Sequence, residues 1–168
     1  MWKKSIITIL LFCFFALLQD SFITHFSFFG AVPSLVFALF FTLAFFVKES
    51  NIYQIITLAI IAGFFLDIFS FTYIGPSIIS LIIIGILLKY IQSALTTRDE
   101  SYPFSYFLPL FIGFILLNEL FIGLYIHFLD INKLILSFDI KIIYYALYSS
   151  IFATLFFYIY KRNLKNFR

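Results

Sequence analysis

Six long apolar runs make up most of the chain, and short polar or glycine–proline segments separate them. Crossing a bilayer takes about 20 predominantly apolar residues in a helix, and most of the runs approach that length. The pattern predicts one integral membrane domain, residues 1–168, in which all elements are α-helices. The predicted transmembrane helices span about residues 5–20, 33–47, 52–71, 76–95, 104–129 and 142–160.

The segments between the runs fix the predicted boundaries. Residues 22–30, FITHFSFFG, are aromatic and interrupted by polar groups, which predicts an interfacial or re-entrant segment. Pro33 suits the first turn of the second helix, where proline's missing N–H costs nothing. Residues 48–51, KESN, predict a turn, and residues 96–103, TTRDESYP, form a charged linker that divides the chain into four helices and two.

The composition indicates that the chain is surrounded by a lipid bilayer rather than by water. The chain is 64% hydrophobic and 11% charged, with a mean hydropathy of +1.11, whereas soluble domains average about 45–50% apolar and about 25% charged residues. Six crossings leave no room for a soluble domain. The single cysteine, Cys13, excludes a disulfide within one chain.

The distribution of Lys and Arg predicts the orientation, because basic residues favour the cytoplasmic side. If six helices alternate, one side receives nine basic residues and the other receives Lys133 and Lys141. Both termini are therefore expected in the cytoplasm. Lys89, near the end of the fourth predicted helix, is expected to extend its charged group towards the membrane edge. Tyr145, near the start of the sixth, is expected to belong to an aromatic belt at the membrane surface.

Asp67 is one of two acids inside the predicted helices. Ala59, Gly63 and Asp67 are spaced by four, so they share one helix face, and the two small residues allow a neighbouring helix to approach closely. Asp67 is either a proton or ligand site, or a carboxylate that accepts amide hydrogen bonds from the Gly75–Pro76 corner. The second, structural interpretation is favoured.

Glu119 is the other acid, next to Asn118 and in line with Gly123 and His127 at spacings of four. This group would form a polar relay, a socket for a partner helix or, as we favour, interhelical hydrogen bonds. Counting about 1.5 Å per residue, Asp67 and Glu119 lie at the same depth and could meet across the bundle.

Signatures of known catalytic sites are missing from the sequence. It contains no GxGD, GxSxG or HExxH motif, no Cys/His cluster and no phosphate-binding glycine loop. We therefore predict no catalytic residue, metal or cofactor; a membrane enzyme of another kind is the least favoured alternative.

Four features in the first 95 residues resemble the rod shape-determining membrane protein family MreD. They are LLQDS (17–21), FFGAVPSL (28–35), AGFFLDIFSFTYIG (62–75) and the apolar helix that ends in Lys89–Tyr90. The chain departs from the family at Ser34, where an Asp or Asn is common, and at KESN. Asp67 and the proline corner correspond to the family pattern, whereas Glu119 does not.

The resemblance implies a non-catalytic scaffold in the bacterial inner membrane, part of the cell-elongation machinery for peptidoglycan synthesis. Its partner would be the single-span protein MreC, which connects it to MreB filaments and to the RodA glycan polymerase with its transpeptidase; lipids, but not nucleic acid, complete the expected partners. A scaffold is expected to expose an apolar groove of small residues and to have no polar cavity large enough for a ligand.

The family is also similar in topology to the substrate-binding subunits of energy-coupling-factor vitamin transporters, which supply the rival hypothesis. In that case Asp67, Asn118, Glu119 and His25 would converge on a small polar ligand. The transporter subunits usually carry an Ala-xxx-Ala motif on the first helix, where this chain has only Ala16.

Overall fold

The computed structural model describes residues 2–27, 30–47, 51–69, 74–95, 104–129 and 140–166. Within these ranges every secondary-structure element of several residues is a helix, as the apolar runs predicted. The elements are α1 (Trp2–Ser21), a 3₁₀ helix (Ile23–Phe26), α2 (Leu35–Phe46), α3 (Ile52–Phe69), α4 (Pro76–Leu95), α5 (Phe104–Leu129) and α6 (Ile140–Asn166).

The observed boundaries differ from the predicted ones mainly at α2 and α6. Both α4 and α5 match their predicted ranges, whereas α6 continues through the basic residues to Asn166. Pro33 precedes α2 instead of occupying its first turn, because Ser34 is the N-cap and accepts a hydrogen bond from the Phe37 amide at 3.3 Å. The linker at 96–103 and most of the turn at 48–51 lie outside the described residues.

The prediction of six full-length crossings needs correction at α2. In the described part of the chain, α1, α3, α4, α5 and α6 are long and apolar enough to cross a membrane. Helix α2 has 12 residues and is therefore about 18 Å long, well short of the roughly 30 Å hydrocarbon core.

Helix α2 lies at the centre of the bundle and contacts each of the other five α-helices. Ten of its 12 residues are buried, as expected for a helix that is apolar on every side. Its phenylalanines pack edge-to-face against α5: the ring of Phe41 lies 5.3 Å from that of Phe111, and the ring of Phe45 lies 5.1 Å from that of Phe107. Aromatic packing therefore fills the core.

Helices α3 and α4 form the most extensive contact in the bundle. They approach so closely that a Cβ atom on Gly63 would lie 2.5 Å from the Cα of Ile78. Ala59 and Asp67 are buried on the same face of α3. The line of small residues thus admits α4, the close approach that the spacing of Ala59 and Gly63 predicted.

Side chains from α1 and α6 bind the polar groups at the N-terminal end of α2. Gln19 Oε1 accepts hydrogen bonds from the amides of Leu35 at 2.8 Å and Val36 at 3.3 Å. The Ser34 amide donates to Ser149 Oγ at 3.0 Å. The amides that have no partner inside a helix at its first turn are thereby satisfied by protein.

Lys89 and Gln92 of α4 bind the other end of α2. Lys89 Nζ donates to the Val47 carbonyl and, at 2.6 Å, to Gln92 Oε1. Gln92 Nε2 in turn donates to the Phe45 carbonyl at 3.1 Å. The expectation that Lys89 extends to the membrane edge is therefore wrong: the residue is only 6% exposed, and its ammonium group binds the carbonyl of Val47, the C-cap of α2.

We expect Gly63→Ala to destabilise the protein by about 1–3 kcal/mol, because the added methyl group meets α4 backbone that cannot move aside. Gly113→Ala is the matched control, since a Cβ there meets nothing within 4 Å and gains up to about 1 kcal/mol of helix propensity. Thermal unfolding in detergent measures both. Equal unfolding midpoints for the two variants would contradict the close α3–α4 contact.

Lys89→Met should cost about 1–3 kcal/mol of stability, because it leaves the half-buried Val47 carbonyl without its ammonium donor. Lys161→Met is the control at an exposed lysine, where only a cation–π contact to Phe157 at 5.7 Å is lost and the expected cost is below about 1 kcal/mol. If both variants unfold at the wild-type temperature, Lys89 does not hold the end of α2.

Candidate binding cavity

A cavity of about 370 Å³ lies where six helix ends meet. The C-terminal halves of α1, α3 and α5 and the N-terminal ends of α2, α4 and α6 surround it, as they must if successive helices run in opposite directions. Its polar lining consists of Gln19, Asp20, Thr24, Ser34, Asp67, Ser77, Asn118, Glu119 and Tyr145. Such a concentration of polar groups is unusual in so apolar a chain.

Asp67 contributes a carboxylate that already binds the protein. It is 2% exposed and accepts hydrogen bonds from the Gly75 amide at 2.6 Å and the Ser77 amide at 3.0 Å. Gly75 has a φ of 128°, a conformation that side-chain-bearing residues rarely adopt. The start of α4 favours an anion, so these contacts are the ones that the structural interpretation of Asp67 expected.

Glu119 lines the same cavity from α5, so the two intrahelical acids border one shared space. Its carboxyl group hydrogen-bonds Tyr145 of α6, and Tyr145 also hydrogen-bonds Ser34 at the start of α2. Tyr145 is therefore an internal partner of Glu119 and not the belt residue that its position in the sequence suggested. The three side chains connect α5, α6 and α2.

Asn118 joins α4 and α5 beside this network. It is 2% exposed, and its Oδ1 accepts a hydrogen bond from Ser80 Oγ at 2.8 Å. Among the described residues, no partner of the Asn118 amide nitrogen is found, although the side chain lines the cavity. The cavity therefore has a buried donor available to a bound molecule.

Of the remaining sequence candidates, only Pro76, at the start of α4, is among the described lining residues. Gly123 is half-buried on α5, and a Cβ atom there would meet nothing within 4 Å. His127 is on α5, but its side chain lies outside the described set. His25 is exposed and is not among the described lining residues, so it does not join Asp67, Asn118 and Glu119.

The polar cavity residues that sequence reasoning missed are Gln19, Asp20, Thr24, Ser34, Ser77 and Tyr145. The polar pair Gln19–Asp20 at the end of an apolar run was a usable signal, because polar side chains near a membrane helix end need a partner. Tyr145 offered none, since it is one of three tyrosines in the sequence YYALY.

The cavity can hold a polar molecule by hydrogen bonds and can pair with positive charge. No group of three or more His, Cys, Asp or Glu side chains placed to hold a metal ion occurs in the described ranges. The chemistry available is therefore binding through carboxyl, amide and hydroxyl groups, against apolar walls such as Phe65 and Ile122.

Asp67→Ala should destabilise the protein by about 1–3 kcal/mol, because the amides of Gly75 and Ser77 lose a buried acceptor. Asp20→Ala removes another carboxyl group from the cavity wall, but from a half-buried position, and should change stability by less than about 0.5 kcal/mol. Unfolding of both variants in detergent makes the comparison. A larger loss for Asp20→Ala than for Asp67→Ala would contradict the structural role of Asp67.

Comparison of the chain with family models, with curated proteins and with solved structures found no match. The resemblance to the MreD family therefore depends on the sequence features described above.

Proposed function

We propose that this protein is a non-catalytic scaffold subunit of the bacterial cell-elongation complex. In this proposal it lies in the inner membrane with both termini in the cytoplasm and binds an MreC-type single-span protein. Through that partner it is connected to MreB filaments and to a RodA-type glycan polymerase with its transpeptidase. The proposal starts from the resemblance of the first 95 residues to the MreD family.

The observation that carries the proposal is the use of the polar residues within the resembling segments. Gln19 of LLQDS binds the first amides of α2, Asp67 binds the start of α4, and Lys89 binds the end of α2. Each of these side chains holds a helix end inside the bundle. A scaffold needs a fixed arrangement of helices, and these polar side chains supply it by binding helix ends.

Two features of the structure depart from the scaffold hypothesis. It expected small residues in an exposed groove, but Ala59, Gly63 and Ala153 are buried between helices. It also expected no polar cavity large enough for a ligand, and a cavity of about 370 Å³ is present. A partner surface could still include Gly113 of α5, which is exposed and where a Cβ atom would meet nothing within 4 Å, or exposed apolar side chains such as Phe14 and Leu10 of α1.

The cavity favours a second candidate function, the binding of a small polar molecule, as in a transporter's substrate-binding subunit. Its volume falls within the range of about 300–1,000 Å³ that is usual for ligand sites, and Asp67, Asn118 and Glu119 line it as that hypothesis expected. An observation on α1 disfavours a transporter subunit of the energy-coupling-factor type. Ala16, the one alanine of α1, is only 2% exposed, so it is not available to contact another subunit.

The scaffold proposal is tested by co-expression with the MreC-type protein encoded in the same genome. We expect the two proteins to remain together through detergent extraction and size-exclusion chromatography, and to crosslink in the membrane. An unrelated single-span protein with the same tag is the control. A stable monomer that ignores the MreC-type protein would overturn the scaffold function.

The second candidate is tested by native mass spectrometry of the protein as purified. A bound small molecule in the wild-type protein that is lost in Glu119→Gln would support ligand binding in the cavity. Detection of apoprotein alone, after extraction in several mild detergents, would count against it.

A further inference from the structure

The charged side chains among the described lining residues of the cavity are all acidic. Asp20, Asp67 and Glu119 supply three carboxyl groups, whereas none of the described lining residues is Lys, Arg or His. Lys89, the buried cation of the helix bundle, is at the other end of α4 and binds the end of α2. Among the described lining residues, the three carboxyl groups therefore face the cavity without a basic side chain.

The three acids are not equivalent. Asp67 is held by the backbone amides of Gly75 and Ser77, so its charge is already compensated in part. Glu119 has the neutral hydroxyl group of Tyr145 as its hydrogen-bond partner. A carboxylate removed from water is strongly disfavoured unless it is paired or takes up a proton. A cation beside Glu119 would therefore stabilise the ionised form of this carboxyl group.

Asn118 provides a separate observation about the same space. The residue is 2% exposed and its Oδ1 is occupied by Ser80, yet its amide nitrogen donates to none of the described residues. A buried donor without a partner costs about 1–3 kcal/mol. A ligand with a hydrogen-bond acceptor would remove that cost.

We propose that the cavity binds a small organic cation that carries a primary ammonium group and a hydrogen-bond acceptor. The ammonium group pairs with Glu119 and Asp20, and the acceptor takes the Asn118 amide. The apolar walls, which include Val36, Phe65 and Ile122, contact the hydrocarbon or aromatic body between the two polar groups. This inference rests on the second candidate function and specifies the chemistry of its ligand.

Three compounds with one phenol ring and different charges test the ligand chemistry. Tyramine carries an ammonium group, tyrosol a neutral hydroxyl and 4-hydroxyphenylacetate a carboxylate. Calorimetric titration uses the full-length protein in phosphatidylcholine nanodiscs, because the choline headgroup has no N–H to donate. We expect tyramine to bind at least about tenfold more tightly than either analogue, since a charge-assisted hydrogen bond is stronger than one between neutral groups.

Glu119→Gln should weaken tyramine binding by on the order of tenfold while its amide keeps a hydrogen bond to Tyr145. Asp20→Asn provides a second variant that leaves the Glu119–Tyr145 contact intact and should also weaken tyramine. Lys161→Gln, at the opposite end of the bundle, should bind tyramine like the wild type. Thermal unfolding of each variant shows that it is folded.

Equal or tighter binding of tyrosol or 4-hydroxyphenylacetate would overturn the preference for a cation and leave a cavity that binds another kind of polar ligand. Tyramine binding that Glu119→Gln and Asp20→Asn do not affect would place the cation elsewhere and also overturn the inference. Failure of all three compounds to bind would overturn it as well. Native mass spectrometry of the purified protein then decides separately whether the cavity binds any small molecule.

Discussion

The structure depends on one constraint: a 12-residue helix lies buried in the middle of the bundle, so the polar groups at both of its ends need partners from the protein. The first amides and the last carbonyls of α2 have no partner within the helix, and buried backbone groups without a hydrogen bond are costly. Gln19 and Ser149 meet the amides, while Lys89 and Gln92 meet the carbonyls. Helices α1, α4 and α6 are thereby fixed around α2.

The same constraint explains why the cavity is polar. The N-terminal ends of α2 and α4 face it, and the side chains that satisfy them, Gln19, Ser34 and Asp67, form part of its wall. These residues would be there whether or not anything binds. Glu119 and Asn118 differ, because neither binds a helix end. They carry the functional argument, whereas the helix-capping residues carry the structural one.

The sequence predicted a contact where the two interacting residues are close together in the chain, and it failed where they are far apart. The hydrogen bonds of Asp67 were predictable because Gly75 and Pro76 follow within ten residues and mark a corner. The close approach at Gly63 was predictable from spacing. The role of Lys89 was not, since its partner Val47 is 42 residues away and no local pattern says that a short apolar run becomes the central helix. Tyr145 was missed for the same reason.

The capping of α2 also has a consequence for biogenesis. When the last residue of α2 is added to the chain, α1 with Gln19 already exists, but Lys89 and Gln92 are more than 40 residues from being translated. Until α4 arrives, the last carbonyls of α2 have no protein donor among the contacts described for them. Helix α2 is therefore expected to remain beside the insertion machinery until α4 has been synthesised, and to pack into the bundle only then. Membrane insertion of this chain is in that sense a cooperative event among the first four helices.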